Sequence, residues 1–136
     1  MTSAELLADA FGRVQETVHE AVEGLTSSQL TARLDDDANS IAWLCWHLAR
    51  VQDDHVAGAF GVPQVWLEYG KRFELPFEPS DIGYGHSSGQ VSEVTVASAD
   101  LLVGTTTRCT SRPSGWSPAS PTRTCPGWWT RAGIRR

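Results

Sequence analysis

Ala38 to Phe60 reads ANSIAWLCWHLARVQDDHVAGAF, and here an apolar helical stripe coincides with side chains capable of chemistry. Ile41, Leu44, Leu48, Val51 and His55 recur at spacings of three and four. They share one face of an α-helix, and that face is expected to be buried. At about 100° per residue, His47 lies roughly 60–100° off this line, on the shoulder of the stripe. An imidazole there can turn into the seam between helices as a metal ligand or serve as a hydrogen-bonded seam residue. A zinc-type centre needs about three protein donors at roughly 2.0–2.3 Å. At about 1.5 Å rise per residue, His55 lies roughly 12 Å from His47 along the axis. Asp54 is excluded on the same ground, so any co-ligands of His47 come from other helices.

With 136 residues, 40% of them hydrophobic, the chain can form one domain with a moderate core. Met1–Ala10 has no basic leader, and no apolar run approaches the roughly 18 residues of a membrane span. A cytoplasmic protein without membrane attachment is expected. Cys45, Cys109 and Cys125 are odd in number and lack C-x-x-C spacing, which supports neither a disulfide framework nor a zinc knuckle. Charge is divided unevenly. Five basic and 16 acidic residues lie at or before Gly104, and six basic and no acidic residues follow it. An acidic body argues against nucleic acid as a partner of the body itself.

Thr2-Ser3-Ala4-Glu5 and Thr26-Ser27-Ser28-Gln29 both fit the capping box, so helices should begin at each. After the first, Leu7, Phe11, Val14, Val18, Ala21, Val22 and Leu25 form a stripe that ends near Gly24. The second opens a short helix to about Arg33. Asp35-Asp36-Asp37 reads as a solvated acidic run before the central helix, not as a calcium loop. His19 is expected to face solvent. Trp43 and Trp46 lie opposite the Leu48 line, and the candidate cover is Gly61–Gln90, a long aromatic- and proline-bearing loop. His86, in Gly83-Tyr84-Gly85-His86, is read as a loop residue outside any ligand set.

The N-S-I-A-W-L-x-W-H-L-x-R-V-Q-D-D-H run at 39–55 and F-x-L-P-F-x-P-x-D-x-G-Y-G-H at 73–86, with helix one and the Gly-Leu-Thr turn at 24–26, carry a resemblance. Over about residues 3–104 the chain resembles an actinobacterial branch of the DinB-like superfamily, related to the mycothiol-dependent maleylpyruvate isomerase metal-binding domain. The resemblance implies an all-α four-helix bundle. It also implies a divalent metal, zinc or nickel, held by one His of the second helix and by an acid-or-His, x3, His pair of the last. Only the first of these donors has a matching position, His47. A thiol cosubstrate and transferase or isomerase chemistry are implied with it.

A third helix is expected at about 91–103, and the pattern then stops. Thr105 to Arg136 holds seven Thr, six Arg, four Pro and three Trp, one Ile, and no Leu, Val, Asp, Glu or Lys. By composition this is a disordered basic tail. It also reads like a GC-rich gene out of frame. Read one base earlier, Thr105–Ser111 can give YHDAVHE, Ala119–Cys125 GLTDADL, and Gly127–Arg136 RVVDxRWDPP. These strings restore acids, helical period and a second GLT signal. A frame change near residue 104 is expected.

The reading is therefore an incomplete four-helix bundle over 1–104, with a long loop and a non-family tail over 105–136. Helices are expected at about 3–24, 39–60 and 91–103, the first two antiparallel, with Leu7, Phe11, Val14, Val18, Leu44, Leu48 and Val51 mutually buried. A thiol-linked, metal-dependent function with His47 as the one identified donor follows for the intact family. The alternatives are a helical module that dimerises through Trp43 and Trp46, and a basic tail that binds RNA or another anion.

Overall fold

Both sequence-read capping boxes form in the computed structural model, which describes residues 1–111. Thr2 Oγ1 accepts the Glu5 amide at 3.2 Å, and Glu5 accepts the Thr2 amide at 2.6 Å. Helix α1 then runs Ser3–Val22. The reciprocal Thr26 and Gln29 pair opens the short α2, Ser27–Thr31. Ser40 caps the central helix α3, Ile41–Phe60, and Gly61 ends it in the left-handed conformation at φ 63°. After these come α4, Trp66–Tyr69, a 3-10 turn at Gly70–Arg72, α5, Ser88–Glu93, and α6, Ala99–Thr110. Among the described residues all regular structure is helical, as expected of a DinB-like bundle. Helix α6 packs on both α1 and α3.

The single helix expected over 91–103 is in fact two. Val94, Thr95 and Val96 are β-branched and favour extended backbone, and Val94 and Val96 are buried in the core. The Ser27 hydroxyl donates to the Val96 carbonyl at 2.5 Å and holds the break in place. Helix α6 also passes Gly104 and continues to Thr110, so the expectation that regular structure stops there is corrected. The threonines are accommodated because Thr105 and Thr106 hydroxyls donate to the Leu101 and Leu102 carbonyls at 2.8 and 3.0 Å, leaving no buried hydroxyl unpaired. At Gly104 a Cβ would fall 2.0 Å from the Tyr69 hydroxyl, so the bare backbone lets the two elements touch. The expectations for residues 112–136, including the tail's disorder and its anion binding, lie outside the described residues.

A larger correction concerns α3. Its buried face is Ala42, Trp46, Ala49, Arg50, Asp53 and Ala57, whereas Leu44 is 49% and Leu48 37% exposed, and His55 is exposed. On α1, Val18 is buried but Leu7 is 57% exposed. The aliphatic stripe is real as a pattern, but Leu44 and Leu48 on it stay exposed while Ile41 is partly buried against the core. A face of tryptophan, alanine and a paired Arg and Asp is buried in its place.

The Gly61–Gln90 segment covers Trp43 and Trp46 as expected, and it does so through partners rather than periodicity. Trp46 lies 6.2 Å from Trp66 and 5.8 Å from Phe77 between ring centroids. Arg50, wholly buried, donates to Gln64 Oε1 at 3.0 Å, the Pro79 carbonyl at 3.1 Å and the Asp81 carbonyl at 3.2 Å. It also pairs with Asp53 at 3.6 Å and stacks over Trp66 at 5.1 Å. Burial pulls the Arg50 guanidinium below its ordinary value, and Asp53 and Asp54 offset part of that. Asp53 accepts the amides of Val65 and Trp66 at 3.0 and 2.8 Å, which fixes the start of α4.

Asp53→Ala removes one member of a buried pair and both amide acceptors. The expected loss is about 3–5 kcal/mol, read as a lowered urea midpoint. A loss within about 0.5 kcal/mol, typical of surface sites, would show that the pair does not hold the segment.

Candidate functional site

His47 sits where the end of this segment crosses α3. Its Nδ1 lies 2.5 Å from the Ile82 carbonyl oxygen, and its ring stacks on Trp43 at 4.6 Å and 18°. A carbonyl only accepts, so Nδ1 carries the proton; in the neutral ring Nε2 keeps its lone pair. This is the orientation that backbone acceptors impose on metal-ligating histidines. The crossing is close. At Gly83, φ is +87° and a Cβ would stand 2.7 Å from Trp46 and 2.9 Å from His47 Nδ1. Only glycine meets both conditions.

His86 is buried, contrary to its reading as a mobile loop residue; its side chain is 3% exposed. Trp43 Nε1 donates to its Nδ1 at 3.1 Å, so its proton is on Nε2, which donates to both Asp81 oxygens at 3.0 Å. The ring stacks on Trp46 at 5.6 Å and 22°. Both nitrogens are committed, so His86 fastens the loop. Burial raises the Asp81 carboxyl, but hydrogen bonds from His86 and the Gly83 amide outweigh it and hold the group below its ordinary value.

The other histidines lie apart. His19 does not face free solvent: it is half-buried against α6, 3.2 Å from the Thr107 hydroxyl, which Gln15 also reaches at 3.3 Å. Exposed His55 bonds to the Val51 carbonyl of its own helix at 2.8 Å. Burial pushes the Cys45 thiol up, so it is held as a thiol and is a poor nucleophile. Among the described residues no group of three His, Cys, Asp or Glu side chains could hold a metal. His47 fits as one donor, and the residues around it do not complete a centre. A surface depression of 350 Å³ between Phe73, Glu74, Val96 and Leu101 lies elsewhere.

A match to the DinB superfamily spans residues 10–128. The chain belongs to the DinB superfamily. Its fold is similar to that of a conserved protein from Enterococcus faecalis known from a crystal structure, with a TM-score of 0.71 and 24% identity. The likeness covers 81% of this chain and 66% of that one, so this DinB chain spans under two thirds of that protein's length. Among curated proteins no relative was found. No helix among the described residues is long and apolar enough to cross a membrane.

The Asp81 and His86 pairing was missed in the sequence. Its signals are Asp81-x-Gly83, whose Asp oxygen accepts the Gly83 amide at 2.7 Å, and two tryptophans in need of a cover. The folded Asp81 carboxyl titrates below its unfolded value of about 3.9. Its stabilisation is complete above that value and is lost as pH falls through the depressed one. In Asp81→Asn the fall of the urea midpoint below about pH 4 is expected to be shallower than in the parent DinB chain. Identical pH profiles would remove Asp81 from the account.

Proposed function

We propose that the intact form of this protein is a cytoplasmic, divalent-metal-dependent, thiol-linked transferase or isomerase of the mycothiol-related kind, with His47 as one zinc or nickel donor. The observation that carries the reading is the His47 ring, whose Nδ1 is spent on the Ile82 carbonyl while Nε2 has no hydrogen-bond partner among the described residues. DinB membership supplies the metal expectation. The described residues contribute that one donor, so they do not make a centre, and no catalytic step is drawn through a metal. In this reading the remaining donors are encoded in the frame one base earlier from about residue 104. A second reading, a non-catalytic helical module, is favoured by the exposure of Leu44 and Leu48.

Resequencing across codons 100–110 checks the frame. Calorimetric titration of zinc and nickel into the 136-residue chain, a frame-restored chain and its His47→Ala variant checks the donor. Losing one orienting partner of a ligand costs about 10–100-fold in affinity, so absent donors should cost more than that. The restored chain is expected to bind tightly through His47, and the 136-residue chain weakly. Tight, His47-dependent binding by the 136-residue chain would place the co-ligands in this chain. Equal binding by the restored chain with and without His47 would remove the residue from the site.

A further inference from the structure

The depression of 350 Å³ lies where the 3-10 turn at Gly70–Arg72 meets the break between α5 and α6. Its floor is apolar. Phe73 and Val96 are 6% and 3% exposed, and Leu101 is half-buried beside them. Its rim is polar, since the exposed side chains of Arg72, Glu74 and Thr95 line it together. An apolar floor with a few convergent polar groups is the usual make-up of a small-molecule site, and the volume falls at the lower end of the range of about 300–1,000 Å³.

Two features set these charges apart from solvated surface groups. Arg72 lies over the Tyr69 ring at 4.9 Å, and among the described residues it has no acidic partner. A guanidinium resting on an aromatic face keeps its in-plane N–H groups, the fork that fits a carboxylate. Glu74 has φ +52°, and among the described residues it is the one non-glycine with a positive φ. It follows a helical turn, at the position where chains place glycine for that conformation. A glutamate there is strained, and strain of this kind gathers at binding sites. Arg72 and Glu74 flank Phe73 without pairing with each other, so both charges remain available.

We propose that this depression binds a small zwitterion of the amino-acid class. Its carboxylate lies on Arg72, its ammonium on Glu74, and its apolar side chain on Phe73, Val96 and Leu101. A lone anion would face Glu74 and a lone cation would face Arg72, so the rim discriminates against both. The Thr95 hydroxyl both donates and accepts, and it serves either end. No metal donor takes part, so this proposal and the metal reading fail separately.

Amide proton–nitrogen spectra of the full 136-residue chain, titrated with L-leucine across the millimolar range, test the proposal. Isocaproate supplies the same carbon chain with the carboxylate alone, and isoamylamine with the ammonium alone. Saturable shifts are expected for Phe73, Glu74, Thr95, Val96 and Leu101 with L-leucine, and affinity at least about fivefold weaker for each single-charge probe. Arg72→Met and Glu74→Gln should each weaken L-leucine to the same degree, while Lys71→Met, an exposed neighbour, should leave it unchanged. Glu74→Gly should weaken binding too, yet with a urea midpoint no lower than the parent's, because it relieves the strain. Absence of saturable shifts at these residues would overturn the proposal. So would isocaproate binding as tightly as L-leucine, which would make this an anion site only, or unchanged affinity in both Arg72→Met and Glu74→Gln.

Discussion

A buried guanidinium cannot be left unsatisfied, and the arrangement of this chain follows from how Arg50 is satisfied. Taking an unpaired charge out of water costs several kcal/mol, so Arg50 is tolerable inside only because five groups converge on it: Asp53, Gln64, the carbonyls of Pro79 and Asp81, and the Trp66 ring. Four of those partners, all but Asp53, lie beyond the helix that carries it. A segment with no hydrophobic period is thereby tied to α3 at both of its ends. The aromatic side chains between the ties, Trp66, Phe73 and Phe77, then pack where Trp46 can receive them.

The same ties determine what His47 can do. With Asp81 anchored through its carbonyl, Ile82 lies over the imidazole and Gly83 presses against Trp43, Trp46 and His47. His86 completes the closure by spending both nitrogens on Trp43 and Asp81. Two histidines on one loop crossing thus end in opposite states. One is consumed as a fastener, and the other is held by one nitrogen, the second having no partner among the described residues.

Much of this was legible in the sequence. Capping boxes at Thr2 and Thr26 and the extent of the central helix are local signals that depend on neighbours three or four residues away. The need for a cover over Trp43 and Trp46 was legible too. Which face of α3 is buried was not. Periodicity weighs aliphatics, and it assigned Leu44 and Leu48 to the interior while giving no signal for the Arg50 and Asp53 pair. Pairing of that kind is a tertiary fact, since Arg50 becomes an interior residue only once Gln64, Pro79 and Asp81 have come to it. Likewise the bend at Val94–Ser98 depends on Ser27, whose partner in the fold is 69 residues away.

The central claim is that the Arg50 ties set the protonation pattern of the two loop-crossing histidines, and imidazole proton–nitrogen correlation spectra read that pattern directly. The account predicts that the proton of His47 is on Nδ1 and that of His86 on Nε2, and that Arg50→Met returns His47 to a mixture of tautomers as Ile82 moves away. A parent protein with the His47 proton on Nε2, or an Arg50→Met variant whose His47 signals do not change, would contradict it.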